Sequence, residues 1–367
     1  LRRYVASDLK DMNRRTVYNL LASEKEISRA EISRRTGISS PTVIKIINHF
    51  KELGFISFEG EGESKVGRKP QIVRFNQTAA CSIGVDFEGD HLMIGIVDLL
   101  GHILNLKKFT VVPDFVSTVR EKLGTLIEQV IEQTDIKTNR IIGVGIGVPG
   151  SVSLDLKTVR VAPLVGIKKQ LDVTPLLAEL ESRLKLPVKI EKDVNAAALG
   201  EFVHRRNPAC QDLIYISLGT GVGAGIILDG RLRRGTNSLA GEIGYLSFDV
   251  RASIDPGAPG WLESRIGYKT FAKNPNPRAV IKKIVNDLAL AIAGLSIALD
   301  VDQVVVGGIG FESLGNTLLE ILNEKLARLC LRPVHCLAPV CPEPVVVGAA
   351  WIITEDSLAK LLDGSDW

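Results

Sequence analysis

No uninterrupted apolar stretch approaches the ~18–20 residues that a membrane-spanning helix requires, although 45% of the 367 residues are hydrophobic. The opening segment, LRRYVASDLKDMNRR, lacks the apolar core that directs secretion. Cysteines number five (Cys81, Cys210, Cys330, Cys336, Cys341), an odd and scattered set that argues against a disulfide framework. A cytoplasmic protein with no membrane partner is expected. Cys330, Cys336 and Cys341 lie near His335, but their spacing fits no common zinc pattern, so plain thiols are the expectation. Internal repeats and low-complexity stretches are missing too. What remains is a globular chain long enough for two or three domains.

Charge is present but unevenly placed. The net charge is +3, yet residues 1–75 carry 15 Lys and Arg against 9 Asp and Glu, leaving the rest slightly acidic. A basic head on an acidic body points to a polyanion partner for the head alone. Local signals there read as helix, turn, helix. Val17, Leu20 and Leu21 give residues 13–26 an apolar helical face. Ser28 and Glu31 form a capping box that opens a short helix, stopped by Gly37. Ser40 as N-cap and Pro41 in the first turn start another, with Val43, Ile46, Ile47, Phe50 and Leu53 at helical spacing before Gly54.

After Gly54, FISF, the turn EGEGES and QIVRF suggest a two-stranded wing with Lys65, Arg68 and Lys69 at its base. Flexible cations and N-cap hydroxyls suit phosphates, so Arg29, Ser39, Ser40, Thr42, Lys45, Arg68 and Lys69 are the candidate DNA contacts. The alternative is a small helical interaction module with a solvated basic face. The wing favours double-stranded DNA.

From residue 80 the pattern changes to buried β-branched runs, each ending in Gly or Asp: CSIGVDF, LMIGIVDL, IIGVGIGV, VKIEKD, LIYISLG and QVVVGG. Helical stretches such as VSTVREKLGTLIEQVIEQ and VTPLLAELESRLK lie between several of them. Alternation predicts an α/β body of parallel sheets, with ligands at the strand C-termini. The expected units are a head over 1–76, a first lobe over 77–200 and a second over 201–347. A last helix, about 348–362, is expected to return to the first lobe.

The ordered set GVDFEGDHLMIGIVDLLGHIL, IGVPG, EKDVNAAALGE, SLGTGVGAGIILDGRLRRG, AGEIGYLSFD and WLES resembles the ROK family of repressors and sugar kinases. The head resembles that family's repressor branch. The resemblance implies an actin-like, two-lobed ATPase-type (ribonuclease H-like) body with a ligand cleft between the lobes. It also implies that Asp193 stands at the kinase base position, with Glu242 and Glu263 as further sugar-holding carboxylates. Acceptor-only carboxylates suit the donors of a polyol. Without the resemblance, Asp193 reads first as a helix N-cap carboxylate.

Departures from the family pattern carry as much weight. Where the resemblance places a first phosphate loop Asp-x-Gly-Gly-Thr, this chain has Asp86, Glu88, Gly89 and Asp90, adding bulk and negative charge. The second loop keeps Gly219, Thr220, Gly221 and Gly223, and Gly307–Gly308 persists. Zinc positions of the family fall on Tyr245, Ile254, Pro256 and Trp261, so no cofactor, neither zinc nor ATP with magnesium, is expected. Lys192, beside Asp193 and Asn195, and Leu164 replace family asparagines; Lys192 either pairs with Asp193 or serves an anionic ligand. Tyr245 and Asn195 complete the candidate sugar contacts.

The expected protein is a non-enzymatic repressor of carbohydrate-utilisation genes, a homodimer or homotetramer on a near-palindromic operator, controlled by a sugar or sugar derivative. The alternatives are an active sugar kinase with an accessory head and a ligand-independent DNA-binding scaffold.

Overall fold

The helical face at Val17, Leu20 and Leu21 belongs to α1 (Ala6–Glu24), which starts well before residue 13. Its early turns expose Leu9 and Met12, so no apolar stripe marked them in the sequence. The computed structural model describes residues 6–59, 71–88, 90–160, 166–207, 210–253, 258–274 and 276–363. After α1 come β1 (Glu26–Ser28) and α2 (Arg29–Thr36), where the Ser28 hydroxyl accepts the Glu31 N–H at 3.2 Å and Gly37 ends the helix in left-handed geometry. In α3 (Ser40–Glu52) the N-cap is Ser39, one residue earlier than expected. Its hydroxyl meets the Thr42 hydroxyl at 2.9 Å and makes no bond to the backbone.

The wing strands are β2 (Ile56–Glu59) and β3 (Ile72–Phe75), and β1 adds a third strand by pairing with β3. The head is therefore three-stranded where two strands were expected; Ile27 is the short strand's buried anchor. Lys65, Arg68 and Lys69 lie outside the described residues.

Next follow β4 (Cys81–Glu88), β5 (His91–Asp98) and β6 (Ile103–Thr110), then α4 (Phe115–Thr118), which passes through one π-turn into α5 (Gly124–Glu132). β7 (Ile141–Val148), the small ribbon of β8 (Thr158–Val159) and β9 (Leu171–Asp172), α6 (Thr174–Leu184), β10 (Val188–Lys192) and α7 (Asp193–Arg205) complete this part. The strand order is β10-β7-β4-β5-β6. The sheet is mixed, not parallel: β4–β5 and β5–β6 are antiparallel, because their connections are too short for a crossover.

A second five-stranded sheet has the order β13-β12-β11-β14-β15. It comprises β11 (Leu213–Leu218), β12 (Val222–Leu228), β13 (Arg231–Leu232), β14 (Gln303–Gly307) and β15 (His335–Leu337). It too is mixed, with β11–β12 antiparallel and β11–β14 parallel. Its helices are α8 (Trp261–Ile266), α9 (Pro277–Leu299), α10 (Ile309–Leu314) and α11 (Asn316–Leu329).

The last helix, α12 (Pro344–Asp363), organises the whole. A Cβ on Gly84 or Gly145 would lie 1.8 Å from the carbonyl oxygens of Val346 and Ala349, so glycine alone lets α12 lie on the first sheet. Its other side meets α7 as closely, where Gly348 faces the Ala196 carbonyl. At about 30 Å for 20 residues, α12 ends beneath the head. Ile353, Leu358, Leu361 and Leu362 join Val17, Leu21, Ile47 and Phe50 in one apolar core. The Leu362 carbonyl accepts from Nε2 of His49 at 2.7 Å, and Arg14 pairs with Asp363.

Candidate functional site

β10 delivers Lys192, and α7 begins at the next residue, so a charged pair of neighbours sits at a strand end beside a helix start. Lys192 pairs with Glu242: its ammonium donates to Oε1 of Glu242 at 2.7 Å, with the side chain only 8% exposed. The expected choice between Asp193 and an anionic ligand thus resolves differently, because Glu242 is in direct reach and neutralises the cation. Glu242 is held there by Gly241, whose Cβ would fall 1.8 Å from the Ala224 carbonyl oxygen, pressing the segment onto β12.

Glu263, on α8, accepts the Val222 N–H at 3.4 Å through Oε2 and lies beneath Gly221 and Gly244. Burial, with a smaller push from Glu242, raises its pKa. Asn195 sits lower in the wall. Its Nδ2 donates to Glu191 at 2.9 Å, while its Oδ1 is buried without a partner. Arg234 closes on Glu191 at 2.7 Å, so that buried carboxylate is answered as well. Tyr245 ends the short turn after Glu242 and is half-buried. Leu164 lies outside the described residues.

The other half of the cleft has a different electrical character. Asp86 is buried near the end of β4, and its pKa stands well above the ordinary value through burial and the nearby Glu88, Asp193 and Glu343. Asp193 is pushed up to about 6, chiefly by burial; Lys192 and the Val194 N–H at 2.6 Å oppose the shift, and Glu88 and Glu242 add to it. Glu343, immediately before α12, is raised by burial and then by Glu312. Cations bearing on this group are Lys192 on Asp193 and Lys108 on Glu343. Asp90 stands apart, exposed and paired with Nδ1 of His91 at 2.5 Å. Gly89 lies outside the described residues.

The glycine-rich segment is shorter as a loop than expected. Gly219 and Gly221 make a tight turn, with the Gly219 N–H donating to the Gly221 carbonyl at 2.9 Å and Thr220 at its tip. Gly223 belongs to strand β12 instead. Its missing side chain lets the strand pass Val194 of α7, which a Cβ would meet at 3.4 Å. Of the family's zinc positions, Tyr245 and Trp261 offer neither thiolate nor imidazole, so they do not suit the metal. Trp261 is instead wedged between Phe248, edge-on at 5.6 Å, and the Arg265 guanidinium at 4.7 Å. Ile254 and Pro256 lie outside the described residues.

On the head, Ser39, Ser40 and Lys45 are exposed and Thr42 partly so, opposite the buried Val43, Ile46, Ile47 and Phe50. Ile44 and Asn48 share that outer face, and the helical period of α3 would have revealed them. Arg29 is less free than expected. Its guanidinium lies 4.6 Å from the Phe58 ring centre on the wing, with Nε enclosed. In the cleft, sequence reasoning missed Glu191, Glu312 and Glu343. Only Glu343 left a local signal, a carboxylate directly before Pro344 and an apolar helix.

The family model described as "ROK family" matches residues 82–264, and one described as "Winged helix-turn-helix DNA-binding" matches residues 11–57. The xylose repressor of Caldicellulosiruptor bescii is 32% identical over 287 residues, which are 76% of this chain and 67% of that protein. Among solved structures, a ROK family transcriptional regulator described as a homolog of the E. coli MLC protein superposes with a TM-score of 0.78. It is 21% identical and covers 97% of this chain and 98% of its own. A ROK family glucokinase from Streptomyces griseus, solved with glucose and AMPPNP, gives a TM-score of 0.60. It is 26% identical, over 74% of this chain and 99% of its own.

Proposed function

The chain belongs to the ROK family, and on that premise we propose that it represses carbohydrate-utilisation genes from the cytoplasm, releasing operator DNA when a neutral sugar fills the cleft. One observation carries the reading: α12 starts beside the cleft, at Val345 just after Glu343, and shares the head's core at Leu361 and Leu362. A ligand that draws the lobes together therefore acts on a rod that ends against α3. Such a ligand shifts DNA affinity only by its preference for one arrangement over the other.

The chemistry of the cleft supports a neutral ligand. Lys192 is spent on Glu242, and Asp193, Glu242 and Glu263 offer acceptors to hydroxyl donors. An acidic or phosphorylated sugar would meet these carboxylates with Lys192 already engaged by Glu242. Xylose is the first candidate, since the C. bescii relative is named a xylose repressor.

Phosphoryl transfer is not part of the reading. Asp86, Glu88, Asp193 and Glu343 crowd the place where nucleotide phosphates would sit, and like charges there repel them. Neither resident zinc nor bound ATP is proposed. Asp193 is nevertheless present, so a coupled ADP-release assay with a sugar panel decides the kinase alternative; turnover abolished by Asp193→Asn would establish it.

The repressor reading is tested by selecting operator fragments from genomic DNA and measuring affinity by fluorescence anisotropy with and without xylose. Sugar-dependent release supports it, and affinity unchanged by pentoses, hexoses and amino sugars sinks the sensor. Two-fold protein symmetry on two half-sites implies a homodimer, or a tetramer built from such pairs, on a near-palindromic operator.

A further inference from the structure

The second sheet carries a groove at the end that faces away from the cleft. β11 and β14 run parallel toward the Gly219–Gly221 turn and Gly308, so their first residues mark the far end. There the starts of β11, β14 and β15 meet the last turn of α9 and the end of α11 around a space of about 600 Å³. Sites for small molecules span roughly 300–1,000 Å³.

The groove gathers negative charge that the fold leaves partly unanswered. α9 presents the carbonyl end of its dipole here, with no basic residue in its last turn. Asp300, its left-handed C-cap, and Asp302 add carboxylates at that same end, and Asp212 lines the groove from the start of β11. Arg332 pairs with Asp300, and the exposed His335 is the other basic group at the rim. Among the described residues no cation pairs with Asp212 or Asp302. The walls are nevertheless fixed. Asp212 accepts the Asp229 N–H at 2.8 Å, the Cys210 thiol lies 3.3 Å from Oε1 of Gln303, and the Asp302 carbonyl accepts the His335 N–H at 2.7 Å.

An independent observation is a hydroxyl. Ser296 lines the groove from α9 and is only 4% exposed, yet its Oγ has no partner among the described residues. A helical serine commonly bonds back to the preceding turn, as Ser313 does to the Ile309 carbonyl at 2.8 Å. A buried hydroxyl without a bond is costly, and a ligand that supplies one relieves the cost. Ile297, Val301, Leu331 and Val334 give the same groove apolar surface between its acids.

We infer that this groove is a second ligand site, separate from the cleft, and that it takes a linear aliphatic polyamine. Ammonium groups neutralise Asp212, Asp302 and the carbonyl end of α9, methylene stems cover Ile297 and Leu331, and one N–H serves the Ser296 oxygen. A metal ion does not suit the donors, since among the described residues no three His, Cys, Asp or Glu side chains are grouped to hold one. An anion would meet Arg332 already engaged by Asp300. The site goes beyond the repressor reading and does not depend on it, because the groove lies outside both the cleft and the head.

Titration calorimetry of the full chain with spermidine, without DNA, tests the site. One molecule is expected to bind per chain. Asp212→Asn/Asp302→Asn is expected to weaken it about tenfold, and Ser296→Ala about threefold with a melting temperature no lower than the wild type's. Cys330, the one cysteine that is not buried, borders the groove, so spermidine should also slow its reaction with a maleimide. Absence of binding, or affinity indifferent to the two aspartates and to Ser296, overturns the site. Binding that magnesium ion displaces at equal charge, or that Glu88→Gln abolishes, also overturns it: the first marks a diffuse charge effect and the second places the amine in the cleft.

Discussion

The two halves of the cleft hold similar numbers of carboxylates and treat them in opposite ways. On the sugar side each is answered: Glu242 by Lys192, Glu191 by Arg234 and Asn195, and Glu263 by a backbone N–H. Around the end of β4, Asp86 faces Glu88, Asp193 and Glu343, with Lys192 bearing on Asp193 and Lys108 on Glu343, and burial lifts the pKa of Asp86, Asp193 and Glu343 as it does that of Glu263. Paired carboxylates keep a fixed geometry and can accept hydroxyls. Crowded ones are harder to ionise and offer a phosphate no positive charge.

The strongest way to break the contrast is to remove the sugar side's compensation. Lys192→Met leaves Glu242 part-buried and unpaired, and should cost about 2–3 kcal/mol in urea denaturation, together with the sugar response. Adding Glu242→Gln should recover most of the stability without restoring the response. Full stability in Lys192→Met alone would show that the pair does not matter.

Removing charge from the other half should act in the reverse sense. Glu88→Gly with Asp90→Thr is expected to raise affinity for a non-hydrolysable ATP analogue about tenfold, read by titration calorimetry. Most of that gain belongs to Glu88, which bears on Asp86 and Asp193 where Asp90 does not. No gain would mean that shape, and not charge, excludes the nucleotide.

A smaller effect sharpens the comparison through pH. The folded pKa of Asp193, about 6, lies above the ordinary carboxylate value of 3.8. Its stabilising contribution is therefore present in full below pH 4 or so and is lost as pH rises through about 6. Asp193→Asn should melt about 2–4 °C higher than the wild type at pH 7.5, and the gap should narrow toward pH 5. A gap that widens on acidification would reverse the assignment. The smallest change, about 1–2 °C upward at pH 7.5, is expected for Glu343→Gln, which relieves the same crowd from its edge.

Legibility followed how local each cause was. The Ser28 cap, the left-handed stop at Gly37 and the buried face of α3 were readable because each depends on residues within a few positions, though the Glu31 carboxylate turns to Arg34 instead of closing the capping box. The six apolar runs all became strands. β6 escaped notice because Lys107 and Lys108 interrupt its alternation at a sheet edge, where side chains face water. Gly223 looked like part of a phosphate loop, since glycine composition alone does not distinguish a turn from a strand that must pass close to a helix.

By itself, the sequence determined the kind of protein: a winged head on a two-lobed α/β body, with Asp193, Glu242 and Glu263 as the acids to examine. Periodicity, caps and ordered motifs carry that much, because they act over short stretches of chain. Tertiary structure decided which charges cancel. Lys192 meets Glu242, Glu191 meets Arg234, and Glu343 arrives beside Asp86 and Glu88 from the far end of the chain. It also decided that α12 joins the cleft to the head. Coulombic and packing energies depend on distance in space, and separation along the chain does not reveal it.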